Sequence, residues 1–216
     1  PMRDIKRILV PSDFSKHSET AYSVAESLAQ MFGAKVDFLH VVPTLVYLRE
    51  SIKKLGIPFD MDEEFYPRVQ KESNHRLREA FVDYVSEANQ GDVKVVIDSK
   101  ASAGIARAAA ELGSDLIVIG ARGQDESEMF RGSTSEKVIR RSNVPVFSVN
   151  ERLDFTKVRT LLVPTDGSDH SLAALDMAAR LAAALGASIE LLHVVELYGS
   201  ALEEAPRMPG ESEENA

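Results

Sequence analysis

Short apolar runs alternate along the chain with stretches in which apolar residues recur every three or four positions. The runs predict buried strands, and the three-to-four spacing predicts helices that cover a sheet. Strands are expected at Ile8–Val10, Val36–Val42, Val93–Ile97, Leu116–Ile119 and Val144–Val149. Helices are expected from Ser15 to about Phe32, at Glu72–Ala88, at Ser102–Leu112 and after Gly132. This alternation is typical of a doubly wound α/β domain with a parallel sheet, complete by about Asn150.

The turns between these elements carry specific signals. Pro11–Asp13 are expected to stop the first strand, Ser15 to cap the first helix and Gly33 to end it. The core face of that helix is expected to hold Ala21, Val24, Ala25 and Leu28. Residues 43–67 are less regular and predict an excursion, with a short helix at 47–54 as one option. A surface-packed insertion is favoured over a functional loop there.

After residue 150 the pattern begins again. Leu161–Asp166 restates Ile8–Asp13 with a shift of 153, and the match continues without a gap to Val195, with about half of the positions identical. A period of about 150 residues indicates tandem domains rather than a solenoid. We therefore expect a first domain at 1–150, a linker at 151–157, a partial βαβ repeat at 158–196 and an acidic disordered tail at 197–216.

A glycine-containing stretch follows the fourth strand. Gly120 and Gly123 come directly after the apolar run, and Gly132 precedes the next helix. Backbone N–H groups of such a loop and of a helix start can approach a phosphate closely. Two simpler interpretations stay open: the glycines only form turns, and Ser133 with Glu136 only forms a capping box.

Composition excludes several classes of function. The formal net charge of −9 argues against nucleic-acid binding, and there is no cysteine for disulfides, thiolate metal sites or a cysteine nucleophile. No apolar run approaches membrane-spanning length, and no signal peptide is recognised, so a cytoplasmic protein is expected. His17 and His170 have no partners at metal-ligand spacing, and His40 is interpreted as a satisfied core histidine, so no metal site is predicted.

Several motifs in this order resemble the universal stress protein family. They are Pro11-Ser12-Asp13-Phe14-Ser15, Leu39–Val42, Asp115–Gly120, the glycines at 120, 123 and 132, and Val144–Val146. The resemblance implies a five-stranded parallel sheet in the order 3-2-1-4-5, of the adenine nucleotide alpha hydrolase-like type. It also implies binding of ATP, or of ADP or AMP, with Mg²⁺ as an option, and dimers formed through the edge of strand five.

The same resemblance implies which residues would bind the nucleotide. Asp13 would accept a hydrogen bond near the adenosine, and the backbone of Val41 would face adenine. The glycines, Arg122 and two hydroxyls would hold the phosphates. The full predicted set is Pro11, Ser12, Asp13, Val41, Gly120, Arg122, Gly123, Gly132, Ser133 and Thr134. For Asp13 a plain turn-forming role, and for Val41 a plain core role, fit the sequence too.

The chain departs from the family pattern between the second and third glycines. Nucleotide-binding members carry nine residues there, whereas Gln124–Arg131 are eight and include three acidic residues. Ser99 stands where many members have glycine. No catalytic set is present, since no lysine follows the glycines in the phosphate-loop pattern and no nucleophile elbow occurs. We expect a stress-response nucleotide-binding regulator; the alternatives are an interaction module of the same fold or a slow ATPase. A response-regulator site at Asp13 and Asp98 ranks below these.

Overall fold

The computed structural model of the chain describes residues 4–44, 64–121 and 134–195. The expected helix at 47–54, most of the glycine loop and the tail at 197–216 lie outside these residues. The chain divides into two compact units, Pro1–Val158 and Arg159–Ala216, called here the first and second units. Each unit is considered by itself.

The first unit alternates strands and helices. Its strands are β1 Arg7–Ser12, β2 Lys35–Pro43, β3 Gln90–Asp98, β4 Leu116–Gly120 and β5 Val146–Val149. Its helices are α1 Lys16–Phe32, α2 Phe65–Tyr84, α3 Ala101–Glu111 and α4 Thr134–Arg141. All neighbouring strands pair in parallel, and the order is β3-β2-β1-β4-β5. The predicted fold class and strand order are therefore confirmed.

Helices cover both faces of this sheet. On one face, α1 and α2 contact each other, and the rings of Tyr22 of α1 and Phe81 of α2 both contact the ring of Phe38 of β2. On the other face, α3 and α4 contact each other, and Val138 of α4 packs in a buried cluster with Leu9 of β1. The strands are apolar on both faces because both are covered.

The start of α1 follows the sequence closely. Ser15 caps the helix by accepting a hydrogen bond from the Ser18 N–H, and Gly33 ends it in the left-handed conformation with φ of +64°. The four residues predicted for its core face, Ala21, Val24, Ala25 and Leu28, are all buried. The end of β1 differs from the prediction, since the strand continues through Pro11 to Ser12. Pairing with β4 ends at Leu9, so Pro11 lies where β1 has a neighbour on one side only.

Two helices also differ from the prediction. Helix α2 begins at Phe65, seven residues earlier than expected, and ends at Tyr84. The sequence hides this start, because Glu64 gives no side-chain cap and Pro67 stands in the first turn, where proline is tolerated. For α4 the sequence predicts both Val138 and Ile139 on the apolar side; Val138 is fully buried, whereas Ile139 is 50% exposed. Adjacent helix positions point about 100° apart, so both cannot face the core.

The second unit repeats the beginning of the first. It contains β6 Thr160–Pro164, α5 Asp169–Leu185 and β7 Ser188–Leu192, with β6 and β7 paired in parallel. Strand β7 ends at Leu192, although the sequence match to the first copy continues to Val195. Leu162 is 61% exposed, whereas its counterpart Leu9 is fully buried in the first unit. The matched strands therefore differ in burial although their sequences agree.

Candidate functional site

Strands β1 and β4 are neighbours, and their carboxyl ends lie at the same edge of the sheet. The register pairs Ile8 with Leu116 and Leu9 with Ile117, and the two strands end at Ser12 and Gly120. Helix α1 leaves the end of β1 on one face, and α4 packs on the opposite face. A crevice opens where the helices that follow two neighbouring parallel strands pack on opposite faces of the sheet. Ligands of open α/β sheets usually bind in such a crevice.

Gly120 brings α1 against the end of β4. A Cβ added to Gly120 would lie 2.7 Å from the carbonyl carbon of His17 and closer still to its oxygen. Only glycine leaves room for this backbone approach, which holds the first turn of α1 beside the crevice. The sequence predicted Gly120 for phosphate approach, and the structure assigns it a packing role as well.

Asp13 shapes the turn between β1 and α1. Its Oδ1 accepts hydrogen bonds from the Ser15 N–H at 3.0 Å and from the Ser18 hydroxyl at 2.7 Å. Partial burial acts to raise the pKa of Asp13, but these hydrogen bonds outweigh it and lower the pKa below its ordinary value. Asp13 is still exposed to solvent, so its carboxylate can also face a ligand.

The repeat contains the same turn. Asp166 Oδ1 accepts a hydrogen bond from the Ser168 N–H at 2.9 Å, and hydrogen bonding by Ser168 lowers the pKa of Asp166 to about 2. The turn therefore forms in both copies. The turn-forming interpretation of Asp13 accounts for the hydrogen bonds that its Oδ1 accepts. A contact between Asp13 and a ligand would be an additional role.

Ser12 and Val41 reach the crevice mainly through their backbones. The Ser12 side chain is buried, and its Oγ hydrogen-bonds to the hydroxyl of Tyr22, whose pKa burial raises to about 12. In β2, the last residue paired with β1 is His40, so Val41 pairs with β3 but has no β1 partner. Its backbone edge toward β1 is thus available to a ligand.

The remaining predicted residues divide into two groups. Pro11 is buried at the end of β1, and Thr134 is the exposed first residue of α4. Arg122, Gly123, Gly132 and Ser133 lie outside the described residues. The structure thus brings together the strand-end part of the predicted site, which comprises Pro11, Ser12, Asp13, Val41 and Gly120.

Two other side chains at this edge are accounted for within the fold. His40 Nδ1 lies 2.8 Å from the carbonyl oxygen of Ser12, as expected of a satisfied histidine. Asp98 accepts from the Lys100 N–H at 3.0 Å and pairs with Arg107 at 2.7 Å, and these contacts lower its pKa. Asp98 ends β3, and β2 lies between β3 and β1, so the two strands are about 10 Å apart. Asp98 therefore does not form the pair with Asp13 that the response-regulator alternative requires.

Sequence reasoning missed an aromatic contact beside Asp13. Phe14 has a φ of +63°, its ring centroid lies 4.6 Å from that of His40, and the Arg76 guanidinium lies 4.3 Å from it. The sequence contained one usable signal for the backbone conformation. Gly167 stands at the matching position of the repeat, and glycine is typical of positive φ.

The opposite edge of the sheet holds a groove lined by charged residues. Arg7 of β1 bonds to the buried Asp37 through Nε at 2.5 Å and Nη2 at 3.0 Å, and it also pairs with Asp92. Asp115 accepts from the backbone N–H groups of Lys6 and Arg7. These ion pairs connect the amino ends of β1, β2 and β3. The charged residues of the groove therefore stabilise the fold, and no ligand is needed to account for them.

The described ranges contain neither a metal cluster nor a membrane-crossing helix. Within residues 4–44, 64–121 and 134–195, no group of three or more histidine, aspartate or glutamate side chains is arranged to hold a metal ion. In the same ranges no helix has the length and apolar character needed to cross a membrane.

The fold defines a class: doubly wound α/β proteins with a parallel sheet of order β3-β2-β1-β4-β5. The model of the universal stress protein family matches residues 4–150 and again residues 157–216. The chain therefore belongs to the universal stress protein family, and the match covers both copies.

Individual relatives agree with this assignment. Universal stress protein G of Shigella flexneri is 31% identical over 146 residues, which span 67% of this chain and 98% of the relative. Universal stress protein MJ0577 of Methanocaldococcus jannaschii is 26% identical over 156 residues, 68% of this chain and 96% of its own. The solved structure of MJ0577 superposes on this chain with a TM-score of 0.54 and 22% identity. The superposition covers 70% of this chain and 100% of the MJ0577 chain.

A solved universal stress protein from Archaeoglobus fulgidus extends the similarity to both units. It covers 93% of this chain and 71% of its own, with a TM-score of 0.59 and 20% identity. At this identity the likeness concerns the fold alone.

Proposed function

We propose that this chain is a cytoplasmic stress-response regulator that binds an adenine nucleotide, ATP first among them, between the carboxyl ends of β1 and β4. The observation that carries the proposal is that the neighbouring strands β1 and β4 end at Ser12 and Gly120, with the first turn of α1 packed against Gly120. A crevice of this kind is the usual ligand position in an open parallel sheet.

The strand ends would recognise the adenosine. Asp13 would accept a hydrogen bond from the ligand, and the backbones of Pro11, Ser12 and Val41 would line the pocket. The residues that follow β4 would hold the phosphates: Gly120, Arg122, Gly123, Gly132, Ser133 and Thr134. If Mg²⁺ accompanies ATP, the phosphates would supply most of its ligands, as is usual for this ion.

Adenine nucleotides occur in other universal stress proteins. One solved member is in complex with cAMP, and one from Archaeoglobus fulgidus is in complex with dAMP. For this chain the proposal is carried by its own residues. The proposed function does not include fast ATP hydrolysis, because neither a placed general base nor a phosphate-loop lysine accompanies the glycines in the sequence.

Thermal unfolding with added nucleotide tests the proposal. A ligand at a hundredfold over its Kd that binds only the native state stabilises it by about 2.7 kcal/mol, which raises the Tm by several degrees. Gly123→Val should abolish the shift. Asp13→Asn should reduce it, whereas Asp166→Asn, in the matching turn of the repeat, should leave it unchanged. An unmoved Tm in millimolar ATP, ADP and AMP would contradict the proposal.

A second function is favoured by one observation. The segment between Gly123 and Gly132 has eight residues instead of nine and carries Asp125, Glu126 and Glu128, which repel phosphate. An interaction module with the same fold would not need that loop to admit an anion. The two functions separate in the same experiment, since only the nucleotide-binding regulator gains stability from ATP.

We also propose a homodimer. Strand β5 is an edge of the five-stranded sheet, and an open edge is a template for pairing. In the second unit Leu162 and Leu191 are 61% and 60% exposed, which is costly for leucine in water. We expect this unit to be buried at the subunit contact. Light scattering of the full chain and of a chain cut after Asn150 tests this, and a monomeric full chain would contradict it.

A further inference from the structure

Phe14 occupies a backbone conformation that disfavours its side chain. Within the described residues it is the only residue other than glycine with a positive φ, at +63°. Bulky side chains are outliers in this region. The matching residue of the repeat is Gly167, with a φ of +79°. Both copies therefore form a left-handed turn here, and only the first copy places a ring on it.

The ring is not needed to make the turn. The hydrogen bond from the Ser15 N–H to Asp13 has its equivalent in the bond from Ser168 to Asp166, where the residue between is glycine. The imidazole-to-carbonyl contact is also repeated, since His193 Nδ1 lies 2.7 Å from the Thr165 oxygen. Phe14 must therefore be explained by what its ring contacts.

The ring joins the turn to two other elements. Its centroid lies 4.6 Å from the imidazole of His40 in β2, with an angle of 37° between the planes. The guanidinium of Arg76, on α2, lies 4.3 Å from the ring centroid, within the range of a cation–π interaction. The turn that carries Asp13 is thereby tied to β2 and to α2. The described part of the second unit contains no counterpart of either α2 or this ring.

We propose that Phe14 is a positioning residue: its ring, held by His40 and Arg76, fixes the turn so that Asp13 faces the crevice between β1 and β4. The effect on ligand affinity is based on the proposed function. The positioning itself is a property of the free protein, so the two can be tested separately.

The experiment compares four variants of the full chain. Phe14→Gly introduces the residue that the repeat uses, and Arg76→Gln removes the cation over the ring. Phe14→Tyr keeps a ring of the same shape. Arg78→Gln is a matched control, because Arg78 is exposed on the same helix and bonds instead to Asn74.

Hydrogen exchange of the free protein and ATP titration by calorimetry are the readouts. Phe14→Gly and Arg76→Gln should speed exchange of the Ser15 and Ser18 amides about fivefold. They should weaken ATP binding about tenfold without changing its stoichiometry. Phe14→Tyr and Arg78→Gln should behave as the wild-type chain in both measurements.

Each other outcome is decisive. Unchanged exchange in Phe14→Gly and Arg76→Gln would overturn the positioning role. Faster exchange with unchanged affinity would overturn its link to ligand binding. If wild-type protein binds no ATP, the proposed function fails, yet faster exchange in these two variants and not in the controls still supports positioning. Arg76 is exposed, so its variant decides the matter even if Phe14→Gly folds poorly.

Discussion

Gly120 offers a sharp test of how the crevice is built. In Gly120→Ala the new methyl carbon, which is fixed directly to the β4 backbone, would lie 2.7 Å from the backbone carbonyl carbon of His17. The first turn of α1 would therefore have to move away from β4. Inserting one carbon into a packed region typically costs about 1–3 kcal/mol.

The cost converts into a measurable change in Tm. For a domain the size of the first unit, a loss of 1 kcal/mol lowers the Tm by about 2–4 °C. A cost near 2 kcal/mol should therefore lower it by about 6 °C. The displaced turn carries Ser15 and Ser18, both of which bond to Asp13, so ATP should also stabilise the variant less than it stabilises the wild type.

Gly113→Ala is the matched control. Gly113 has a φ of +64° and no atom within 4 Å of an added Cβ, so the substitution costs only backbone strain, about 1 kcal/mol. Gly113 precedes β4 at the opposite edge of the sheet, so ATP should stabilise the Gly113→Ala protein as much as it stabilises the wild type. Differential scanning calorimetry with and without ATP measures both effects. A Gly120→Ala protein that melts within 1 °C of wild type, with an unchanged ATP response, would refute this reasoning.

Three further expectations follow from the remaining contacts. Arg7→Met leaves the buried Asp37 carboxylate without its main partner and should cost about 3–5 kcal/mol in urea unfolding, whereas Arg7→Met combined with Asp37→Leu should recover most of it. Because the pKa of folded Asp13 is lowered, its contribution to stability should be complete above about pH 4 and should be lost as pH falls through the lowered pKa; Asp13→Asn should flatten that part of the acid titration. ATP hydrolysis by the purified chain should be slower than about 1 per second, and faster turnover that Asp13→Ala abolishes would show an enzyme.

Strands β1, β2 and β4 could be predicted because they are mostly buried and therefore form apolar runs, whereas the edge strands β3 and β5 are only partly buried. Their existence follows from local sequence, whereas their order was taken from the resemblance between motifs. The start of α2 could not be predicted, since Glu64 provides no side-chain cap and Pro67 has the character of a helix breaker. Helix starts without caps leave little local trace.

The candidate site was predictable where a motif fixes the backbone. Asp13 and Gly120 stand at strand ends and Ser15 at a helix start, and their positions follow from the alternation of elements. The pairing of Arg7 with Asp37 was not predictable, because it depends on the register that sets Arg7 beside Lys35. Charged residues are ordinarily exposed, and only the folded sheet shows that Asp37 is buried. The contact of Phe14 with Arg76 was likewise not predictable, because it depends on where α2 packs in the folded domain.

The two copies separate what the motif does by itself from what requires the surrounding domain. In both, the aspartate caps the turn, the serine caps the helix and the histidine bonds to the strand end. These features therefore belong to the βαβ unit that both copies contain and say nothing about a ligand. Gly120, the open edge of Val41 and the ring of Phe14 belong to the first unit, where neighbouring strands and α2 surround the turn. A ligand-binding role for Asp13 should thus depend on these neighbours, and Asp166, with the same turn and a carboxylate of lowered pKa, should lack it.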